Sequence, residues 1–239
     1  MGRNYKKLLL ASAAVMLMIA QPAVAEIKSD LTLYLWGAGI SGNATLGSKS
    51  IPAQPVDVDF DSILDKLDFG FQVHYEGTGE QWGGGLDITY MKLSDTNDAG
   101  VSAEAKLTLS ELFGIYKASN AFDVLLGVRF TGVDVDLEGP GGLVGAEGDR
   151  SLTDGYVGGR VKLPLSEKWQ FGLRGDIGAG SSDLVWNVLA AVNWQVARSV
   201  SLRGGYRWLD YELEKDDDPL EASLNMQLSG PFLGVAFQW

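Results

Sequence analysis

The stretch Phe232-Leu-Gly-Val-Ala-Phe-Gln-Trp239 decides the fold that we expect for this chain. From Leu233 to Trp239 every second residue is large and apolar, and the residues between them are small or polar. A period of two places these two sets on opposite faces of a β-strand. An entirely apolar strand face is an aggregation hazard in water, but it is stable against lipid. The sequence therefore predicts a terminal strand whose outer face contacts a membrane.

The N-terminus predicts export from the cytoplasm. Three basic residues within the first seven precede the apolar run 8–20, and the small-residue motif Ala23-Val-Ala25 follows it. This is the organisation of a secretory signal peptide, and the run is short for a spanning helix. We therefore expect residues 1–25 to be cleaved and residues 26–239 to form one mature domain.

Composition narrows the class of protein further. The expected signal peptide holds three basic and no acidic residues, so the mature chain keeps 16 Lys and Arg against 31 Asp and Glu. Such a balance argues against nucleic acid as a partner, because phosphate binding needs cationic residues. The chain has no cysteine, which excludes disulfides and thiolate metal sites, and we predict no metal and no cofactor.

Alternation of apolar and polar residues recurs in ten segments of the mature chain. These segments are 29–46, 67–76, 82–91, 101–117, 122–131, 156–165, 169–177, 184–195, 200–208 and 222–239. Their polar faces carry Gly, Asn, Gln and isolated charges, unlike the Lys- and Glu-covered face of a soluble β-sandwich. Since beyond residue 25 no apolar run approaches the roughly 20 residues of a spanning helix, we predict an all-β fold. The expected architecture is a transmembrane, antiparallel, up-and-down β-barrel of about ten strands, with eight or twelve as alternatives.

Two features of single segments complete the predicted architecture. In the last segment the apolar parity switches at Gly230-Pro231, which predicts a bulge or bend. The segment 47–66 is expected to form a short hairpin and one helical turn at the mouth of the barrel.

Aromatic residues and connection lengths predict the orientation. Aromatic residues at opposite strand ends form two expected girdles: Trp82, Phe122, Trp169 and Trp239 beside short turns, and Tyr90, Phe130, Trp186 and Trp208 at the other end. Short links are expected in the periplasm and long, acidic ones outside. The short links are 77–81, 117–121, 165–168 and 198–200, and the outer ones are 47–66, 94–100, 138–154, 179–183 and 214–221.

Two resemblances agree with this prediction. The ending with Gly234, Phe237 and Trp239 resembles the C-terminal signal by which the assembly machinery recognises bacterial outer-membrane barrels. Several stretches of the chain resemble a family of proteobacterial outer-membrane barrel proteins. They are Tyr34-Leu-Trp36, Asp61-Ser-Ile-Leu-Asp-Lys-Leu-Asp-Phe69, Arg174-Gly-Asp-Ile-Gly178, Gly205-Tyr-Arg-Trp-Leu-Asp-Tyr211 and Ser229-Gly-Pro231. The resemblance implies the barrel fold, location in the outer membrane and contact with its lipid, but no substrate and no catalytic residue.

The inward-facing polar side chains are the candidate functional residues. By parity they are Asp68, Gln72, His74, Glu76, Asp87, Glu104, Lys106, Asp123, Arg129, Arg160, Lys162, Arg174, Asp176, Asn187, Asn193, Arg203 and Arg207. They are consistent with two functions: a narrow pore for small solutes or ions, or a plugged barrel with a structural or surface-binding role. The pore is favoured because small residues leave space on the expected inner wall: Gly70, Gly83, Gly85, Gly127 and Ala236.

Catalysis and metal binding have weaker support. His74 is the only histidine, and lipid-modifying enzymes or proteases of outer membranes are a remote alternative. His74 lies close to the Gly77 turn, at the expected periplasmic end, whereas external substrates would need it at the opposite end. No serine shares its strand to act as a nucleophile. We therefore predict that the protein is not an enzyme. The acidic outer links predict at most weak binding of divalent cations.

Overall fold

The computed structural model describes residues 27–44, 54–58, 67–96, 102–138, 145–213 and 224–239. Twelve β-segments lie within them: β1 (Lys28–Trp36), β2 (Gly39–Ala44), β3 (Gln54–Val58), β4 (Leu67–Thr78), β5 (Trp82–Thr96), β6 (Ser102–Lys117), β7 (Phe122–Glu138), β8 (Gly145–Pro164), β9 (Trp169–Gly180), β10 (Leu184–Ala197), β11 (Val200–Glu212) and β12 (Leu224–Gln238). The expected signal peptide lies outside the described residues and stays a prediction.

The twelve segments occupy ten positions around a closed barrel. β1 and β2 continue in one register along β12, since Trp36 pairs with Phe232 and Gly39 pairs with Ser229. β4 pairs with β1 and β3 pairs with β2, so β3 and β4 share the next position. The remaining strands pair in chain order, and the β1–β12 pairing closes the sheet. The predicted ten-stranded antiparallel barrel is confirmed. β3 lies within 47–66 but pairs with β2, which ends at Ala44, so the expected hairpin is not contained in that segment. The helical turn expected there lies outside the described residues.

Two connection patterns distinguish the ends of the barrel. The turn end carries the tight connections 79–81, 118–121, 165–168 and 198–199. The opposite end is called the loop end below. There β7 and β8 stay paired up to Glu138 and Gly145, so most of the link expected at 138–154 is strand.

The bulge predicted at Gly230-Pro231 is wrong. β12 keeps one register with β11 from Phe237 to Met226. Leu228 is buried inside the barrel because the interior at the loop end is apolar. The apolar parity therefore switches because the interior becomes apolar toward the loop end. The backbone of β12 keeps its register through this point.

The outer surface is an apolar belt. Leu35, Leu126 and Leu233 are 70%, 69% and 68% exposed, as expected of side chains that face lipid. Aromatic pairs lie at both edges of the belt: Trp82–Tyr116 and Trp169–Trp194 at the turn end, Phe71–Tyr90 and Tyr206–Trp208 at the loop end. The eight residue steps from Trp82 to Tyr90 rise about 27 Å along β5, or roughly 20 Å across a membrane at a tilt near 40°. In the described part of the chain, no helix is both long and apolar enough to cross a membrane.

Candidate functional site

The middle of the lumen holds a charge-balanced ionic network. Three arginines meet three carboxylates: Arg129, Arg174, Arg207, Glu111, Asp176 and Asp87. We call this set the central network. The side chains of Arg129, Glu111 and Asp176 are 0% exposed. Buried charges are tolerated only when they are paired and hydrogen-bonded, and each of these six is paired within the set. Arg129 Nη1 is the atom of the set that is buried without a hydrogen-bond partner among the described residues.

Glu111 is the centre of the central network. Its Oε1 accepts hydrogen bonds from Arg129 Nε at 3.2 Å and from Arg207 Nη2. Its Oε2 accepts from Arg174 Nη2 at 2.7 Å and from the Tyr156 hydroxyl at 3.1 Å. One carboxylate thus binds all three arginines.

Asp176 is the second anchor. It accepts hydrogen bonds from Arg129 Nη2 at 2.8 Å, Arg174 Nε at 3.0 Å and Asn187 Nδ2 at 2.8 Å. The Asn187 amide oxygen in turn accepts from Arg207 Nε at 2.9 Å. The central network is therefore continuous from β6 to β11.

The central network crosses the whole lumen. In the closed order of ten positions, β6 and β11 lie five positions apart, so Glu111 and Arg207 meet from opposite walls. Arg207 also approaches Asp87 on β5, with 3.6 Å between Nη1 and Oδ1, and Tyr34 on β1 donates to the same carboxylate oxygen at 2.8 Å. Side chains from both halves of the barrel wall close the lumen at this level.

Aromatic rings fill the space beside the guanidinium groups. Arg129 lies over the Tyr156 ring at 4.8 Å and Arg207 lies over Trp36 at 4.9 Å. Such contacts stabilise a cation that has left water.

Small residues of the wall accommodate these rings instead of leaving a channel. A Cβ added at Gly127 would lie 2.6 Å from Tyr156 Cζ, and one at Gly85 would lie 2.6 Å from Phe113 Cζ. The expectation that such residues leave open space is wrong at these two positions, because rings from the neighbouring strands occupy it.

A buried apolar layer lies on the loop side of the central network. Its buried members are Trp36, Ala38, Leu109, Leu152, Val185, Leu209, Tyr211, Leu213 and Leu228. Tyr211 satisfies its hydroxyl with Thr131 Oγ1 at 2.6 Å. The interior at the loop end is therefore packed like the core of a soluble protein.

A second group of ion pairs lies nearer the turn end. Arg160 bonds Glu76, and its Nη2 lies 2.8 Å from Asp123 Oδ2. Lys162 Nζ lies 2.9 Å from the same Asp123 oxygen. His74 lies between two carboxylates, with its Nδ1 3.0 Å from Asp87 and its Nε2 3.0 Å from Glu76.

Arg203 anchors the opposite wall at this level. It bonds Asp30 with Nη2 at 2.8 Å, Thr32 with Nη1 at 2.9 Å and Asn193 with Nε at 3.3 Å. Gln238 donates to Asp30 at 2.9 Å, so these bonds also cross the β1–β12 seam.

A cavity of about 800 Å³ lies between these two groups. The side chains of Arg174, Arg207 and Trp36 line its inner end, and Lys28, Lys117 and Arg198 line its rim at the turn end. Trp36 is the one member of the apolar layer among the lining residues, so the cavity, as the described residues define it, reaches from the turn end to the central network.

Most of the expected inward residues lie inside the barrel. Gln72, His74, Glu76, Asp87, Asp123, Arg129, Arg160, Lys162, Arg174, Asp176, Asn187, Asn193, Arg203 and Arg207 lie on the inner face. Asp68 lies at a register shift between Leu67 and Phe69, and its side chain is not among those described.

Glu104 and Lys106 differ from the expectation. β6 keeps one register with β5 along its whole length, and Leu109, Glu111 and Phe113 are buried inside. Residues 104 and 106 have the opposite parity and lie on the outer face, where Lys106 Nζ pairs with Glu104 at 2.7 Å. The pair lies on the loop side of Tyr90, which marks the edge of the apolar belt, so its charges are hydrated.

The expected assembly residues lie along the barrel seam. Gly234 faces inward against Tyr34, whose Cβ would lie 2.7 Å from a Cβ at position 234. Phe237 faces outward, and the Trp239 backbone exchanges two hydrogen bonds with Ser29 at 2.9 and 3.1 Å.

Sequence reasoning missed Glu111, Tyr34 and Tyr156 as members of the site. A signal existed for Glu111, since a carboxylate between Leu109 and Phe113 on one strand face needs a buried partner.

Comparison with known proteins supports the fold. No protein-family model and no curated protein matches the chain. The outer membrane protease OmpT from Escherichia coli is similar with a TM-score of 0.53 and 10% identity, covering 89% of this chain and 96% of that one. The translocator domain of the autotransporter NalP from Neisseria meningitidis gives 0.44 and 8% over 98% and 96%, and Ail of Yersinia pestis gives 0.41 and 9% over 90% and 99%. The fold is that of bacterial outer-membrane β-barrels.

Proposed function

We propose that this protein is an integral protein of the bacterial outer membrane with a sealed lumen, and that it serves as a structural or binding barrel and not as a conduit. The turn end then faces the periplasm and the loop end faces outward. The apolar belt with aromatic pairs at both edges supports insertion in lipid.

One observation carries the proposal: the central network, with the apolar layer behind it. A solute moving along the axis would have to separate Glu111 from Arg207 and then pass between Trp36, Leu109 and Leu228. Removing one partner of a buried ion pair costs about 3–5 kcal/mol, and this network holds several such pairs. The narrow pore that the sequence favoured would require this rearrangement for every passage.

The shape of the loop end supports a role in display. β5, β6, β7 and β8 continue beyond the apolar belt, and ion pairs link β5, β6 and β7 on the outer face there. Glu104 Oε2 lies 2.8 Å from Lys92, and Asp136 lies 3.9 Å from Lys106. A rigid ledge with a charged surface is suited to contacts outside the membrane.

The surroundings of His74 support the proposal that the protein is not an enzyme. Both imidazole nitrogens are bound by carboxylates, and no serine lies on β4. The acidic links lie mostly outside the described residues, so weak binding of divalent cations there stays a prediction.

Proteoliposome swelling tests the proposal. Vesicles that contain the folded wild-type protein should swell in an arabinose gradient no faster than protein-free vesicles, whereas vesicles with a general porin should swell rapidly. Swelling that increases with the amount of wild-type protein would overturn the sealed lumen.

A further inference from the structure

The cavity at the turn end carries a surplus of positive charge in a chain whose formal charge is −12. Its basic lining residues are Lys28, Lys117, Arg160, Lys162, Arg174, Arg198, Arg203 and Arg207, and its acidic ones are Asp30, Glu76 and Asp87. Several of these cations form ion pairs with Asp123, Glu111 and Asp176, which are not among the lining residues. The surplus therefore resides in the cations that have no carboxylate partner.

Three cations at the rim lack a carboxylate partner in the described part of the chain. Among the described residues, no carboxylate forms an ion pair with Lys28, Lys117 or Arg198, and the Lys117 ammonium donates to the Gly79 carbonyl at 2.7 Å. The positive charges of Lys28, Lys162 and Arg160 act on Lys117, and the Asp123 carboxylate partly offsets them. Like charges that crowd a concave surface create a potential that attracts anions.

The inner part of the cavity is apolar on one side. Leu189, Ala191, Tyr34 and Phe232 line it, and the last two rings meet edge to face at 6.2 Å between centroids. Small side chains on this wall leave room in the cavity, since Ala191 on β10 and Gly205 on β11 pair directly across the two strands. The cavity thus combines a cationic rim with an apolar wall.

We propose that this cavity is a binding site, open to the periplasm, for a soluble organic anion with a small apolar body, such as a phosphate monoester of an aromatic alcohol. The anionic group binds between Lys28 and Lys117, beside the Asp123-paired Lys162, and the apolar body lies against Leu189 and Phe232. The volume of about 800 Å³ lies within the range of small-molecule sites. Lysines act as point charges toward phosphate, and a pair of them suits a multiply charged group.

The site does not depend on a sealed lumen, because its residues lie on the turn side of the central network. Failure of this proposal and failure of the proposed function are therefore separate results.

Isothermal titration calorimetry with 1-naphthyl phosphate tests the site, using the protein in nanodiscs of zwitterionic lipid. We expect saturable binding to the wild type, weaker binding of inorganic phosphate and of 1-naphthol, and a lower affinity at high salt. The double variant Lys28→Gln/Lys117→Gln should bind about tenfold more weakly or worse, because it removes two charges near the anion. The matched control Lys92→Gln/Lys106→Gln changes the same charge on the outer face at the loop end and should bind like the wild type.

Three results would overturn the proposal. The first is the absence of saturable binding of 1-naphthyl phosphate to the wild type. The second is equal affinity of the two double variants when both keep the folded gel mobility. The third is loss of binding when the nanodisc lipid is phosphatidylglycerol. The last result would assign the rim to lipid headgroups. If Lys28→Gln/Lys117→Gln does not fold, the salt dependence of wild-type binding decides, and an affinity that does not change between low and high salt would contradict an anion site.

Discussion

Glu111 holds the interior together at the scale of single residues. Its two oxygens bind three arginines that come from β7, β9 and β11. If its charge is removed, three guanidinium groups remain with two carboxylates, and the side chain of Arg129 among them is 0% exposed. Burial without a partner is far more costly than the loss of an ion pair in water.

The substitution Glu111→Gln should therefore destabilise the barrel by on the order of 3–5 kcal/mol. Glu104→Gln is the matched control, since it changes the same residue type on the same strand in an ion pair at the surface, where solvent screening makes such pairs contribute little, and it should leave stability nearly unchanged. The measurement is the temperature at which each folded protein loses its compact mobility on gels. Equal temperatures for the two variants would mean that the central network does not hold the barrel together.

Gly127 tests whether aromatic rings fill the inner wall. Gly127→Ala places a methyl group 2.6 Å from Tyr156 Cζ and 2.7 Å from the Leu112 carbonyl oxygen, so the barrel should lose about 1–3 kcal/mol. Gly155→Ala is the control, because a Cβ there meets nothing within 4 Å and should change stability by no more than about 0.5 kcal/mol. The same gel assay compares them, and an unaffected Gly127→Ala would show that the ring can move aside into free space.

Parity alone could predict most inward residues, but it failed at β6 for a physical reason. Between residues 107 and 115 the inner face carries Leu109, Phe113 and Ile115, while the outer face carries Thr108 and Ser110. The rule that polar residues face inward assumes a wet lumen. Here the interior is packed with apolar side chains, so the rule is reversed and places Glu104 and Lys106 on the wrong face.

At the scale of elements, the barrel depends on the seam between β1 and β12. Seven residue pairs join the strands, from Asp30–Gln238 to Trp36–Phe232, and the Trp239 backbone extends the pairing to Ser29. β12 is the last segment in the chain, and two residues of the expected assembly signal, Phe237 and Trp239, are exposed. Its role in targeting stays a prediction.

Trp239→Asp should lower the amount of folded protein in the outer membrane severalfold, whereas Trp82→Asp should lower it less. The two residues are both 67% exposed at the turn end, and each ring lies beside one tyrosine, Trp82 with Tyr116 and Trp239 with Tyr75. Quantitative immunoblots of outer-membrane fractions compare them. An equal loss in both variants would assign Trp239 a role in the aromatic girdle alone.

The sequence predicts which strands form better than it predicts how long each strand is. All ten predicted segments contain strand, because each has apolar residues at period two, although in β6 Leu109, Phe113 and Ile115 face inward. The ends of β7 and β8 could not be predicted, since beyond Phe130 the outer face becomes polar and resembles a loop. Backbone pairing between the two strands continues there in water without an apolar face.

At the scale of the whole molecule, orientation is the first property to test. A cysteine at Asp149, at the exposed loop end, should react with a membrane-impermeant maleimide on intact cells, and a cysteine at Asn120, in a turn, should not. The chain has no cysteine of its own, so the background is low. Labelling at Asn120 alone would invert the orientation and place the cationic cavity outside.

The sealed lumen is the central claim, and planar-bilayer recording tests it most directly. Purified, folded wild-type protein should give no conductance steps above those of the detergent control, at low or high salt and at either polarity, because Glu111 and Arg207 bridge the lumen and the apolar layer lies behind them. Reproducible steps in the wild type, with an ion selectivity that shifts in Arg207→Ala, would contradict the sealed lumen and establish a pore.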